Sequence, residues 1–101
     1  MAYFVVRRVR GSAWNSAVPM RAQALWAEHA AFMNGLAAEG FIVLGGPVGT
    51  GGEEALLIFD AASEEAIRTR LAADPWSTAK LLEIARVEPW TILLDARAPT
   101  R

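Results

Sequence analysis

The alternation of apolar and polar residues is most regular between Pro19 and Gly40, PMRAQALWAEHAAFMNGLAAEG. There Leu25, Trp26, Phe32, Met33 and Leu36 recur at the i, i+3, i+4, i+7 spacing of one helix stripe. The pattern predicts a helix over the whole stretch, with Pro19 in its first turn and Gly40 just past its end. His29, the single histidine, falls in the middle of that stripe. Upstream, Tyr3 to Val9 (YFVVRRV) is short and rich in β-branched and aromatic residues, which predicts a strand. Arg10 to Val18 mixes Gly, Ser and Asn and reads as a loop, its Trp14 either packed back on the body of the protein or lining the mouth of a pocket.

Downstream of the helix, Phe41 to Leu44 predicts a second strand running into GGPVGTGGE, a wide hairpin turn that lacks the lysine and spacing of a phosphate-binding loop. Glu54 to Asp60 (EALLIFD) is the third strand. Ser63 then caps a second helix with acids in its first turn, Ile67 and Leu71 pointing inward, and an end near Asp74 set by Pro75. Leu82 to Val87 and Trp90 to Leu94 complete the chain as an extended segment broken at Pro89, which argues for an edge or a bulge.

Strand, helix, strand, strand, helix, strand is the order of an α+β, ferredoxin-like βαββαβ sandwich: a four-stranded antiparallel sheet with two helices on one face. Yet the strands are apolar on both alternating faces, Tyr3, Val5 and Val9 against Phe4 and Val6, Leu56 and Ile58 against Leu57 and Phe59. A sheet covered on one side should alternate apolar and polar residues. No spare element is left to cover the second face, so a homodimer with two sheets packed face to face as a barrel is expected.

Composition narrows the picture. The 101 residues suit one domain, residues 1–101. A formal charge of −1 without a basic run lacks the footprint of a nucleic-acid binder, and Arg7, Arg8 and Arg10 read as a solvated edge. The absence of cysteine excludes disulfides and thiolate chemistry, and one histidine leaves only carboxylates to complete a metal shell, so no metal is expected. No flavin, haem or nucleotide motif occurs, and no cofactor is expected. Apolar runs such as FIVL and ALLIF fall far short of a membrane span, and no signal-peptide pattern precedes them, so a cytoplasmic protein is expected.

His29 has two readings: a core imidazole satisfied by a carbonyl or water, or a proton-transferring group on a rigid helix facing a cleft. The second needs a partner. Ile67, Leu71 and Asp74 stand at i, i+4 and i+7, which sends the Asp74 carboxylate off the buried side of the second helix toward the first. In DPWS the same aspartate is also a good N-cap for a short turn begun by Pro75, and the two roles are compatible.

Taken together, RAQALWAEHAAFMNGLAAEGFIVLGGPVG, SEEAIRTRLAADPW and the closing VEPW resemble the YCII-related family of small bacterial proteins, over about Tyr3 to Asp95. The resemblance implies a dimeric α/β-barrel arrangement and a site built on His29 and Asp74. It also implies lyase-type chemistry of the kind linked to that family, including dehydrohalogenation of hydroxylated aromatic rings, while barrel relatives include lactone isomerases and cofactor-independent monooxygenases. The expected mechanism is proton abstraction by His29, oriented by Asp74, from a small cyclic or aromatic substrate, with Gly46, Pro47 and Trp76 as pocket wall. Trp76 reads equally well as a core residue. The loop between the first strand and helix is longer here than in the shortest family members, so the resemblance does not carry over any specificity set there. The competing expectation is a non-catalytic homodimer that binds a small molecule in the same pocket.

Overall fold

The β-branched and aromatic residues of the first strand, β1 (Ala2–Arg10), place it at the centre of the molecule. In the computed structural model, which describes residues 2–97, it pairs with β3 (Glu54–Ala61) on one side and β4 (Leu82–Pro89) on the other. Strand β2 (Ile42–Val48) pairs with the far edge of β3, so the sheet runs β2-β3-β1-β4 and every pairing is antiparallel. Helices α1 (Trp26–Ala38) and α2 (Glu64–Leu71) and the one-turn α3 (Pro75–Thr78) lie over one face. This is the expected α+β, ferredoxin-like sandwich, the fold of the dimeric α/β-barrel type.

Strand alternation decides which residues form the core. Phe4 and Val6 of β1 and Leu57, Phe59 and Ala61 of β3 face the helices and bury against Leu36 of α1 and Ile67 and Leu71 of α2. Each large side chain sequestered this way contributes on the order of 1.5–3 kcal/mol. Ser63 caps α2 as expected, its hydroxyl accepting from the Ala66 N–H at 3.1 Å. The opposite sheet face carries Val5, Arg7 and Val9 of β1 with Leu56 and Ile58 of β3, and no helix covers it.

The first helix is shorter than the 19–40 pattern predicts. Pro19 precedes a 3-10 turn at Met20–Ala22, Leu25 takes a left-handed φ of 62°, and α1 begins only at Trp26. Tertiary hydrogen bonds override the local periodicity. The buried Gln23 amide donates to the carbonyls of Asn15 (2.7 Å) and Val18 (3.1 Å) and accepts from the Asn15 N–H, and the Ala24 carbonyl receives the Trp76 indole N–H at 2.7 Å. At the other end Gly40, at φ 79°, closes the helix where expected.

Two strand boundaries also differ. The turn expected over GGPVGTGGE begins later, because β2 continues through Pro47 to Val48. An edge strand tolerates a proline, and Gly49 and Gly52 supply the positive-φ positions of the actual turn. Helix α2 stops at Leu71, short of Asp74. Trp90 to Leu94 do not continue β4; only the Trp90 N–H extends the pairing, to the Tyr3 carbonyl, and Leu93 and Leu94 stand in solvent. Of the two expectations for Pro89, the edge holds: β4 is an edge strand and ends at Pro89, which pairs in register with Phe4, and the β1–β4 register shift lies elsewhere, between Arg7 and Arg8.

Candidate active site

The site forms where β1, α1 and α3 meet. Asp74 ends the link from α2 and caps α3: its carboxylate accepts the Trp76 N–H at 3.0 Å, with Pro75 in the first position of the turn. The same carboxylate lies 2.9 and 3.0 Å from Nδ1 of His29, which α1 presents one turn in from its start. Cap and histidine partner are therefore one group. Its second oxygen also accepts from the Arg8 guanidinium at 2.8 Å.

Arg8 is the residue that strand and charge reasoning miss. Expected on a solvated edge with Arg7 and Arg10, it is fully buried, and its other terminal nitrogen donates to the Ser77 hydroxyl at 2.8 Å, which in turn donates to the Leu71 carbonyl at 2.7 Å. The signal is in the alternation: Phe4, Val6 and Arg8 share one face of β1, and that face is the covered one.

Burial alone would push the Asp74 carboxyl up. Hydrogen bonds from His29, from Arg8 and from the Trp76 N–H, together with the Arg8 charge, outweigh it and hold Asp74 below the usual carboxylate range. An ionised carboxylate only accepts, so the geometry assigns the proton to His29 Nδ1. The lone pair of the neutral ring then sits on Nε2, which has no hydrogen-bond partner among the described residues. Underneath, Trp76 stacks on the imidazole with ring centroids 3.8 Å apart and planes 7° from parallel.

His29 opens onto a cavity of about 490 Å³ between α1, the β1–α1 loop and the β2 edge. Gly46 and Pro47 of β2 and Trp76 line it, so all three expected wall residues border the same space as His29. A Cβ on Gly46 would meet no other atom within 4 Å, whereas one on Gly45 would run into the Leu57 side chain; the wall at Gly46 is open to a ligand. Trp76 is at once a wall and a core residue, only 1% exposed. Trp14 stands edge-on to Trp76 at 5.5 Å and Trp26 tilts against both Trp76 and His29, so Trp14 satisfies both readings of its loop. Gln23, which no motif singles out, pins that loop. Among the described residues no group of three His, Asp or Glu side chains is placed to hold a metal, and no helix is long and apolar enough to cross a membrane.

No curated protein matches the chain by sequence. Among solved structures it is similar to the 5-chloro-2-hydroxyhydroquinone dehydrochlorinase (TftG) of Burkholderia phenoliruptrix, determined in complex with 2,5-dihydroxybenzoquinone. The identity is 26%, with 90% of this chain and 94% of that chain covered and a TM-score of 0.62. The YCII-related domain model matches residues 1–91. The chain therefore belongs to the YCII-related family.

Proposed function

We propose that this protein is a cofactor-independent enzyme of lyase or isomerase type, in which His29 moves a proton on a small cyclic or aromatic substrate. One observation carries the reading: His29 Nδ1 is committed to an ionised, buried Asp74, which leaves Nε2 as the basic atom beside a largely apolar cavity. A base at Nε2 takes a proton from a C–H or O–H of the substrate. The released electron pair forms an enolate or a new double bond, and a leaving anion departs or the proton returns at another carbon. The imidazolium formed meanwhile is stabilised by Asp74 and the Trp76 face. Arg8 keeps the carboxylate charged throughout without meeting the substrate proton itself. Elimination from a hydroxylated, halogenated ring suits such a base, and the similarity to a dehydrochlorinase supports that substrate class. The apolar residues of the uncovered sheet face support a homodimer joined through it.

A screen of halogenated hydroxyaromatics, enols and lactones tests the assignment. Turnover of at least one class is expected, falling about a hundred- to ten-thousand-fold in His29→Gln. Binding of these compounds with no turnover by the wild type would favour the non-catalytic binding module, and activity that survives His29→Gln would remove the histidine from the reaction.

A further inference from the structure

The cavity has two rims of opposite charge. On the β2–β3 hairpin it is bordered by Glu53 and by Glu54, but the Glu54 carboxylate is turned to the uncovered face in its pair with Arg7 at 3.3 Å, so Glu53 carries the acidic charge on this side. On the β1–α1 side it is bordered by Arg10 and Arg21, and neither guanidinium has an ion pair or hydrogen bond among the described residues. Each guanidinium instead lies against a tryptophan of the cavity: Arg10 at 4.8 Å from the ring centre of Trp14, Arg21 at 5.7 Å from that of Trp26. Those two rings are the ones that connect to the base. Trp26 contacts His29 directly at 5.9 Å, and Trp14 reaches it through Trp76.

We infer that Arg10 and Arg21 are specificity residues that select a substrate carrying a negative charge, a carboxylate or a ring oxyanion, and seat it with its ring among Trp14, Trp26 and Trp76. This rests on the proposed use of the cavity as the substrate site. A guanidinium laid against an indole keeps its planar edge free, and that edge offers the paired N–H donors that match two oxygens of an anion. The apolar rings hold the rest of the ligand and lower the local dielectric, which strengthens the charge-assisted contacts. Arg8 cannot serve in this way, because its charge is already met by Asp74. Glu53 at the hairpin repels an anion bound in the reverse orientation. The loop between β1 and α1 supplies both Trp14 and Arg21.

Quenching of tryptophan fluorescence reads the binding, since three of the chain's four tryptophans border the cavity. The probes are two matched pairs, benzoate against benzamide and p-nitrophenolate against p-nitroanisole, which separate a carboxylate from a ring oxyanion. At least one anion is expected to bind about tenfold more tightly than its neutral partner, the scale of a charge-assisted contact, with the preference weakening as salt rises. Arg10→Gln and Arg21→Gln should each erase most of that preference and leave the neutral probe unchanged, while Arg21→Lys retains part of it. Equal binding within both pairs, an undiminished preference in both Gln variants, or no binding of either anion at millimolar concentration overturns the inference. His29→Gln separates it from the catalytic proposal: the anion preference survives that substitution if the arginines set it, whether or not turnover exists.

Discussion

Arg7 and Arg8 are adjacent on β1, chemically identical and oppositely placed. Arg8 faces the helices, has no exposed side-chain surface and holds Asp74 at 2.8 Å; Arg7 faces the uncovered side, keeps 38% of its side chain exposed and meets Glu54 at 3.3 Å. One residue of pleat separates a charge on which the candidate site depends from one that solvent largely screens. A salt bridge is therefore not a unit of stability in itself. What it is worth follows from whether water remains available to either partner when the other is removed.

The largest expected effect follows from this. Replacing Arg8 by methionine leaves Asp74 buried with its strongest cation gone and Ser77 without its donor, and should destabilise the fold by about 3–5 kcal/mol. Urea denaturation measures it. Substituting Asp74→Leu in the same chain removes the stranded carboxylate, and the double variant should recover part of the loss while losing any His29-dependent turnover. A loss for Arg8→Met below about 1 kcal/mol would make the two arginines equivalent and the distinction between the faces empty.

A smaller effect appears with acid. Asp74 titrates below its ordinary value of 3.8 in the folded protein, because the hydrogen bonds from His29, Arg8 and the Trp76 amide outweigh its burial. The folded state thus prefers the ionised form. That stability is present in full above the unfolded value and is lost as pH falls through the folded one. Unfolding free energy followed from pH 6 downward should drop more steeply below about pH 4 in the wild type than in Asp74→Asn, whose amide does not titrate there. Parallel acid limbs would show that Asp74 is not bound in its ionised form.

The sandwich was legible because its signals are local: period-two strands, a serine before acids, a glycine after an apolar stripe. The spacing of Ile67, Leu71 and Asp74 also pointed the carboxylate toward α1, and DPWS announced a cap, so the meeting of His29 with Asp74 could be anticipated. What stayed hidden depends on contacts distant along the chain. Arg8 and Ser77 are 69 residues apart, and nothing near Arg8 shows that α3 will cover it. The delayed start of α1 shares that origin in part: the Trp76 indole, 52 residues away, claims the Ala24 carbonyl that a longer helix would have used, while Gln23 ties the preceding loop to itself through Asn15 and Val18. Pro47 suggested a turn because an edge position, which excuses it, becomes visible only when the strand order is known.

The smallest effects on the fold belong to the uncovered face, and they sharpen the comparison most. Val5 and Glu88 are directly opposed across β1 and β4, so Val5→Lys places an ammonium beside a carboxylate and should change the stability of the separate chain by less than about 1 kcal/mol. In the proposed face-to-face homodimer the same lysine would lie between two apolar sheets, where an unpaired charge is costly. Sedimentation of the wild type should therefore give twice the mass of one chain and Val5→Lys a single chain. In that single-chain background Arg7→Ala should cost under about 1 kcal/mol, less still at high salt, because the Arg7–Glu54 pair is then open to water. Should Arg7→Ala cost several times more when introduced into the wild type, Arg7 is desolvated by the second copy. The contrast with Arg8 would then be one that a separate chain shows and the assembled protein narrows. A wild type that sediments as a single chain removes the dimer and leaves the two faces as unlike as they stand here.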